Sequence, residues 1–244
     1  MTLAHAIAIV SKSTLNAQVL ARIRSDIVTC RLMPDERLRM ERLRERYQVG
    51  ATPIREALMR LEAEGLVQLE QNKGFRVSAV SEESLFDLMR CRIEIEGLAL
   101  RWSMERGGTE WEADLIGAFH RLSRERKLGA QQRKSISPEW SKQHRAFHLA
   151  LVAACDSPAL LSIRDGLFDQ AERYVALSII SKAVLRDDVA EHEQIMRAAL
   201  ARDVARAVKF NREHIERTTE KVAKSLRSIA AAPKLRIANG KTVK

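Results

Sequence analysis

The stretch "WSKQHRAFHLAL" sets His144 and His148 four residues apart, the spacing that brings two side chains to one face of a helix. Trp140, His144, His148, Leu151 and Cys155 form one such row, and the face they share is expected to be buried. His192 shares a row with Val189, Met196 and Ala199, and His214 follows Ala207 and Asn211 on another. Three helices thus each turn histidine inward. Converging neutral imidazoles are the commonest metal-binding set, and a pair at i, i+4 is half of such a site already assembled. The alternative is a group of hydrogen-bonded core histidines. A zinc-peptidase helix would read H-E-x-x-H, with the glutamate activating water, but Arg145 occupies that place. No nucleophile and base can be paired elsewhere, which argues against an enzyme. His120 and His5 lie outside these rows.

The elements that position these residues follow from composition and pattern. A chain of 244 residues has room for two domains. Its 45% hydrophobic and 30% charged content is that of a soluble globular protein, and five prolines with ten glycines leave little for unstructured regions. No apolar run approaches the roughly 18 residues of a membrane span. Residues 1–12 lack the features of a secretory signal and read as an N-terminal arm of a cytoplasmic protein. Cys30, Cys91 and Cys155 are odd in number and scattered, which predicts reduced, buried thiols and no disulfide framework. The net charge of +10 favours an anionic partner such as nucleic acid. Residues 229–244 read as a basic tail, and its last 14 residues carry four of the basic groups.

Leu15, Val19, Ile23 and Ile27 make the stripe of an amphipathic helix. A short helix follows over "RMERLRERY" and a third through "ATPIREALMRLEAEG", with Thr52 as N-cap, Pro53 at the first helical position and Gly65 at the C-terminal cap. Ile54, Leu58 and Leu61 face inward there and Arg55, Glu56, Met59 and Arg60 outward. This is either a helix-turn-helix presenting a recognition helix to the major groove or a helical hairpin with a solvated face. Two short strands, Leu66–Glu70 and Phe75–Val80, joined by "QNKG", add a wing.

In "MPDERL", "VGATPIREAL", "LEAEGLV" and "NKGFRV" the chain resembles the GntR family of bacterial transcription regulators over about residues 13–81. The resemblance implies that Arg55, Arg60 and the start of their helix contact DNA, with Thr52 on phosphate and Lys73–Gly74 at the wing tip near the minor groove. Arg37, Arg42 and Arg44 would add backbone contacts; for Arg42 and Arg44 the alternative is simple solvation of the second helix. Arginines can pair bidentately with guanine, whereas helix N-termini mostly fix register on phosphates. Gly50-Ala51 stands where the family commonly has Ser-Arg, so one expected guanidinium is missing.

From residue 82 the pattern is helical, roughly 82–106, 109–127, 138–155, 159–182, 186–201 and 203–228, interrupted by the loop "KLGAQQRKSISP". This resembles the FCD effector domain of the FadR-like branch. Metal-binding members of that branch use a D-x-x-x-H pair plus one histidine from each of two later helices. The resemblance therefore implies a metal set of His148, His192 and His214, with His144 in place of the aspartate. An all-histidine set favours borderline ions such as Zn²⁺ or Ni²⁺; the alternative is that it holds an anion and no metal. Arg92 and Glu96 occupy the branch's R-x-x-x-E position, where the arginine can reach a carboxylate effector or merely pair along the helix. Arg173, Tyr174 and Asn211 are further candidate cavity groups. "GGTEWEADL" with "HRAFH" is similar to carbon-starvation-induced regulators of glutarate and 4-aminobutyrate breakdown, implying a short dicarboxylate such as glutarate.

The expected architecture is mainly α, a winged helix-turn-helix over 13–81 followed by an all-helical effector and dimerisation domain over 82–228. The expected function is a transcription regulator, in the first place a repressor, that binds double-stranded operator DNA as a homodimer with no membrane partner. A metal-dependent enzyme carrying a DNA-binding head and a non-specific helical scaffold are the rival readings.

Overall fold

A computed structural model of the chain describes residues 3–127, 137–180 and 188–231, with side chains over 15–127, 137–179 and 188–229. Helix α1 (Leu3–Val28) is continuous with the segment read as an arm, which contains no glycine or proline to stop it. Val19, Ile23 and Ile27 are buried as the stripe predicts, but Leu15 is 41% exposed. It sits one turn beyond the edge of the apolar cluster that begins at Val19.

Helices α2 (Met40–Tyr47) and α3 (Ala51–Ala63) complete the helix-turn-helix. Helix α3 packs on α1 and buries Ile54, Ala57, Leu58 and Leu61. Its N-cap is Gly50 and makes no side-chain cap bond, which corrects the assignment of Thr52. Thr52 and Pro53 lie inside the first turn, where a missing N–H costs no helical bond. The C-terminal end is as expected. Gly65 takes φ +73°, its N–H reaches the carbonyl of Glu62 and that of Leu66 the carbonyl of Leu61, both at 2.9 Å, which is a Schellman motif.

The wing is a three-stranded antiparallel sheet in the order β1-β3-β2, where β1 is Arg37–Leu38, β2 Val67–Glu70 and β3 Gly74–Val77. The short β1 has no sequence signal of its own. It sets Arg37 opposite Arg76, and Glu70 bridges the two, 2.7 Å from Arg76 Nε and 3.8 Å from Arg37 Nη2. At the wing tip Asn72 and Gly74 have φ +60° and +83°, the left-handed values these residue types tolerate best.

The second domain comprises α4 (Glu82–Arg106), α5 (Thr109–Arg124), α6 (Pro138–Val152) with a 3₁₀ turn Ala153–Cys155, α7 (Pro158–Ile180), α8 (Val189–Leu200) and α9 (Val204–Ala231). The expected boundaries hold to within about three residues where they can be compared; most of the loop "KLGAQQRKSISP" and of the basic tail lies outside the described residues. Ser81 caps α4 by accepting from the N–H of Ser84, and Ser137 caps α6 with Pro138 at the first position. Helix α4 packs against both α9 and α7, α5 against α6 and α8 against α9. The head joins this bundle through a shared apolar cluster that places Cys30 against Leu88 of α4, Tyr174 of α7 and Ile215 of α9. All three cysteines are free, but Cys91 is exposed, against expectation, because it lies on the outer face of α4. Among the described residues no helix is long and apolar enough to cross a membrane.

Candidate functional site

The structure brings together the four histidines that the sequence placed on three helices. His144 and His148 come from α6, His192 from α8 and His214 from α9; all are buried, and one nitrogen of each lies within 4.8 Å of the others. The Nε2 atoms of His144 and His148 are 3.2 Å apart. Tetrahedral coordination at a Zn–N distance of about 2.0–2.1 Å would separate neighbouring nitrogens by about 3.4 Å, so the donor set suits a borderline divalent ion. His214 Nδ1 lies 2.9 Å from Glu191 Oε2, which orients the ring as a carboxylate behind an imidazole does at metal sites. His192 has neither ring nitrogen bonded, and Nδ1 of His144 and of His148 is also without a hydrogen-bond partner.

The rings of His144, His148 and His192 are neutral lone-pair donors. Burial, and then its neighbours His192 and Lys127, lowers His144 well below the ordinary histidine value. Burial and the charges of His144 and His192 do the same for His148, and burial with the charge of His214 takes His192 down to about 3. Several buried polar groups with no partner are costly, at about 1–3 kcal/mol each. Trp140 stacks on His144 at 4.5 Å between centroids, and Lys127 lies over the indole ring at 4.5 Å while pairing with Asp188 at 2.5 Å.

Beside the histidines stands a buried ionic group that the sequence showed only in part. Arg92 Nε donates to Glu96 Oε1 at 2.8 Å, so the pair along the helix forms, and both residues are buried. Arg164 of α7 is wholly buried, with Nε 3.7 Å from the same carboxylate oxygen. Its Nε and Nη2 have no hydrogen-bond partner. Burial raises the Glu96 carboxyl, but the charges of Arg164 and Arg92 outweigh this and hold it below its usual value. The guanidinium groups of Arg92, Arg145 and Arg164 all approach the ring of Phe168, at 4.7, 4.7 and 4.6 Å. Glu172 brings a carboxylate within 3.8 Å of His144 Nδ1, and burial pushes its pKa up. Arg164, Phe168 and Glu172 recur along α7 at helical spacing. That row was legible as a periodicity, but nothing in sequence says that it faces the histidines.

Of the other candidate cavity groups, Asn211 is buried on α9 one turn before His214 with Oδ1 unpartnered. Arg173 and Tyr174 lie elsewhere, at the junction of the two domains. Arg173 Nη1 donates to the carbonyl of Ser78 at 2.9 Å, and Tyr174 packs in the apolar cluster that contains Cys30.

The DNA-facing candidates of the head lie at its surface. Arg42, Arg44, Thr52, Arg55, Arg60, Lys73 and Gly74 are exposed, and Arg55 and Arg60 have no ion-pair partner among the described residues, unlike Arg37 with Glu70. Unpaired guanidinium groups on the outer face of α3 are free for phosphate or base edges. The head is tied to the bundle by charge. Arg24 of α1 binds Glu64, the C-cap of α3, at 2.5 and 3.0 Å, and lies 3.5 Å from Asp169 of α7. Asp169 in turn pairs with Arg145, the residue after His144.

Comparison with known proteins agrees with this geometry. Residues 15–77 match the family model described as bacterial regulatory proteins, gntR family, and residues 87–217, more than half of the chain, match that of the FCD domain. The chain is 40% identical over 197 residues to the HTH-type transcriptional repressor GlaR of Escherichia coli (strain K12), covering 79% of this chain and 89% of that one. It is 37% identical over 195 residues to the HTH-type transcriptional regulator BphR of Paraburkholderia xenovorans, covering 80% of each. Among solved structures, E. coli McbR/YncC superposes with a TM-score of 0.72 over 86% of this chain and 97% of its own, at 22% identity, which shows a shared fold. With a winged helix that leaves Arg55 and Arg60 without ion pairs among the described residues and a helical domain that gathers four histidines, the chain belongs to the GntR family of bacterial regulatory proteins, as a member with an FCD domain.

Proposed function

We propose that this GntR regulator represses transcription as a homodimer on a two-fold operator, and that a small carboxylate effector, bound beside a divalent ion held by His144, His148, His192 and His214, releases it. One observation carries the reading: four buried imidazoles with converging nitrogens, three of them holding unpartnered ring atoms, stand next to a buried arginine with two unpartnered N–H groups. The ion would be Zn²⁺ or Ni²⁺ by donor type, and when bound it would supply positive charge for a carboxylate. Arg92 is engaged by Glu96, so Arg164 carries the free donors for the acid. A short dicarboxylate such as glutarate suits a site with cationic groups on both sides. The name of the E. coli relative, a transcriptional repressor, supports the sign of regulation.

Release requires that the effector bind two head placements unequally. The run of ion pairs from Arg145 through Asp169 and Arg24 to Glu64 supports such coupling, because it joins the histidine helix to the end of α3. The protein purified without an affinity metal is expected to contain about one Zn²⁺ or Ni²⁺ per chain by elemental analysis, and a His148→Ala/His192→Ala variant none. Equal metal content in the two removes the site. In a gel shift on the promoter of its own operon, glutarate is expected to weaken binding of the wild type and not of Arg164→Met; an unresponsive wild type refutes this choice of effector.

A further inference from the structure

Away from the histidines, a cleft of about 530 Å³ opens between the DNA-binding head and the bundle, within the roughly 300–1,000 Å³ typical of small-molecule sites. Its walls come from both domains. The head contributes Gly65 at the end of α3 and Leu69 of β2, the connecting segment Ser78 and Ala79, α4 Ser84 and Leu88, and α7 Gln170, Arg173 and Tyr174. Arg173 is only 3% exposed and forms no ion pair among the described residues. Its Nη1 donates to the Ser78 carbonyl at 2.9 Å, the guanidinium also hydrogen-bonds the Tyr174 hydroxyl, and its Nε has no partner.

The titratable groups beside it supply no countercharge. Burial pushes the Cys30 thiol up to about 11 and raises the Tyr174 hydroxyl above its usual value, so both are neutral at pH 7. Glu62 lies at the rim, exposed and unpaired with Arg173. A buried guanidinium without an anion is among the most expensive arrangements in a protein interior, and arginine cannot lose its proton to escape the cost. Here the charge borders an open cleft that also offers the Ser84 hydroxyl and the Gln170 amide, with Leu69 and Leu88 as apolar wall.

We infer that the domain junction is a second ligand site, which takes the carboxylate or phosphate head of a small organic metabolite on Arg173 and its apolar body against Leu69 and Leu88. It is separate from the histidine site and does not depend on a metal there. A ligand in this position touches the end of α3 and α7 together, and so fixes how the head sits on the bundle.

The test uses the full chain with four probes, acetate, hexanoate, inorganic phosphate and phenyl phosphate, at ionic strength held constant with KCl. Isothermal titration is expected to show saturable binding of one molecule per chain for hexanoate or phenyl phosphate, at least tenfold tighter than for acetate or inorganic phosphate respectively. Which of the two wins tells an organic acid from a phosphorylated compound. Arg173→Gln is expected to weaken it at least tenfold. Ala79→Trp, which fills the cleft and leaves the Arg173 bond to Ser78 in place, is expected to do the same, and covers the case in which Arg173→Gln does not fold. The His148→Ala/His192→Ala variant should bind as the wild type does. Absence of saturable binding by all four probes, undiminished binding to Ala79→Trp, or its loss in the histidine variant overturns the inference; the last would assign the anion to the histidine site instead.

Discussion

In the head, Arg55 and Arg60 stand in solvent on a helix whose inner face is Ile54, Ala57, Leu58 and Leu61. In the bundle, His148, Glu96 and Arg164 are themselves interior residues, each no more than 2% exposed. On the proposed function the head folds with one set of side chains and reads DNA with another, so function can be lost there without loss of fold. On the same proposal the atoms of the bundle serve both purposes. Unpartnered donors and acceptors that would be tolerated at a surface sit where each costs stability, and a ligand that satisfied them would link binding to folding.

The bundle half of that contrast is tested by Glu96→Ala. Removing the carboxylate leaves Arg92 and Arg164 facing each other as buried cations with no shared counter-ion, and breaking a buried ion pair in this way costs about 3–5 kcal/mol. Thermal or urea unfolding of the metal-free protein should show this as the largest loss of any single substitution considered. A change below about 1 kcal/mol would mean that water reaches the group and that the interior is not the dry ionic site described.

The head half predicts the opposite separation. Arg55→Ala and Arg60→Ala should each weaken operator binding by about 1–3 kcal/mol if they contact bases, while leaving the unfolding free energy within about 0.5 kcal/mol of the wild type. Competition gel shifts with operator and random duplex measure the first, and denaturant titration the second. Full retention of specificity by both variants would remove α3 as the recognition helix; a large stability loss would remove the contrast between the domains.

How much of this was legible in the sequence differs between the two domains for the same reason. Head signals are local: the alternation at Ile54, Leu58 and Leu61, the glycine that ends α3 and the turn at Asn72 each report on a few consecutive residues. Local reading still misplaced the cap, because Thr52 has the better capping side chain but Gly50 begins the helix. In the bundle the rows of histidine could be read from spacing, and their convergence followed from three inward faces. Arg164 and Glu172 could not be found that way, since what makes them notable is the approach of α7 to α4 and α6 across a long sequence separation. The separation of Arg173 from the histidines was hidden for a related reason: it lies one residue past Glu172, and a single step along a helix turns a side chain by about 100°, here to the domain junction.

The seam between the two regions gives the smallest effect and the finest test. Gly65 ends α3 at φ +73°, and a Cβ there would lie 3.3 Å from Nε2 of Gln170, the amide that donates to the Glu64 carbonyl at 3.0 Å. Gly65→Ala therefore combines a left-handed backbone, disfavoured for any residue with a Cβ by about 1–2 kcal/mol, with pressure on a contact between the domains. The amide end is flexible and can give by a few tenths of an ångström, so the expected total is about 1–2 kcal/mol by thermal unfolding. If head and bundle are stabilised as one unit through this contact, Gly65→Ala and Gln170→Ala should be non-additive, with an interaction energy above about 0.5 kcal/mol in a double-mutant cycle. Strict additivity would make the strain purely local to α3 and leave the ion pairs of Arg24 to carry the coupling between the domains.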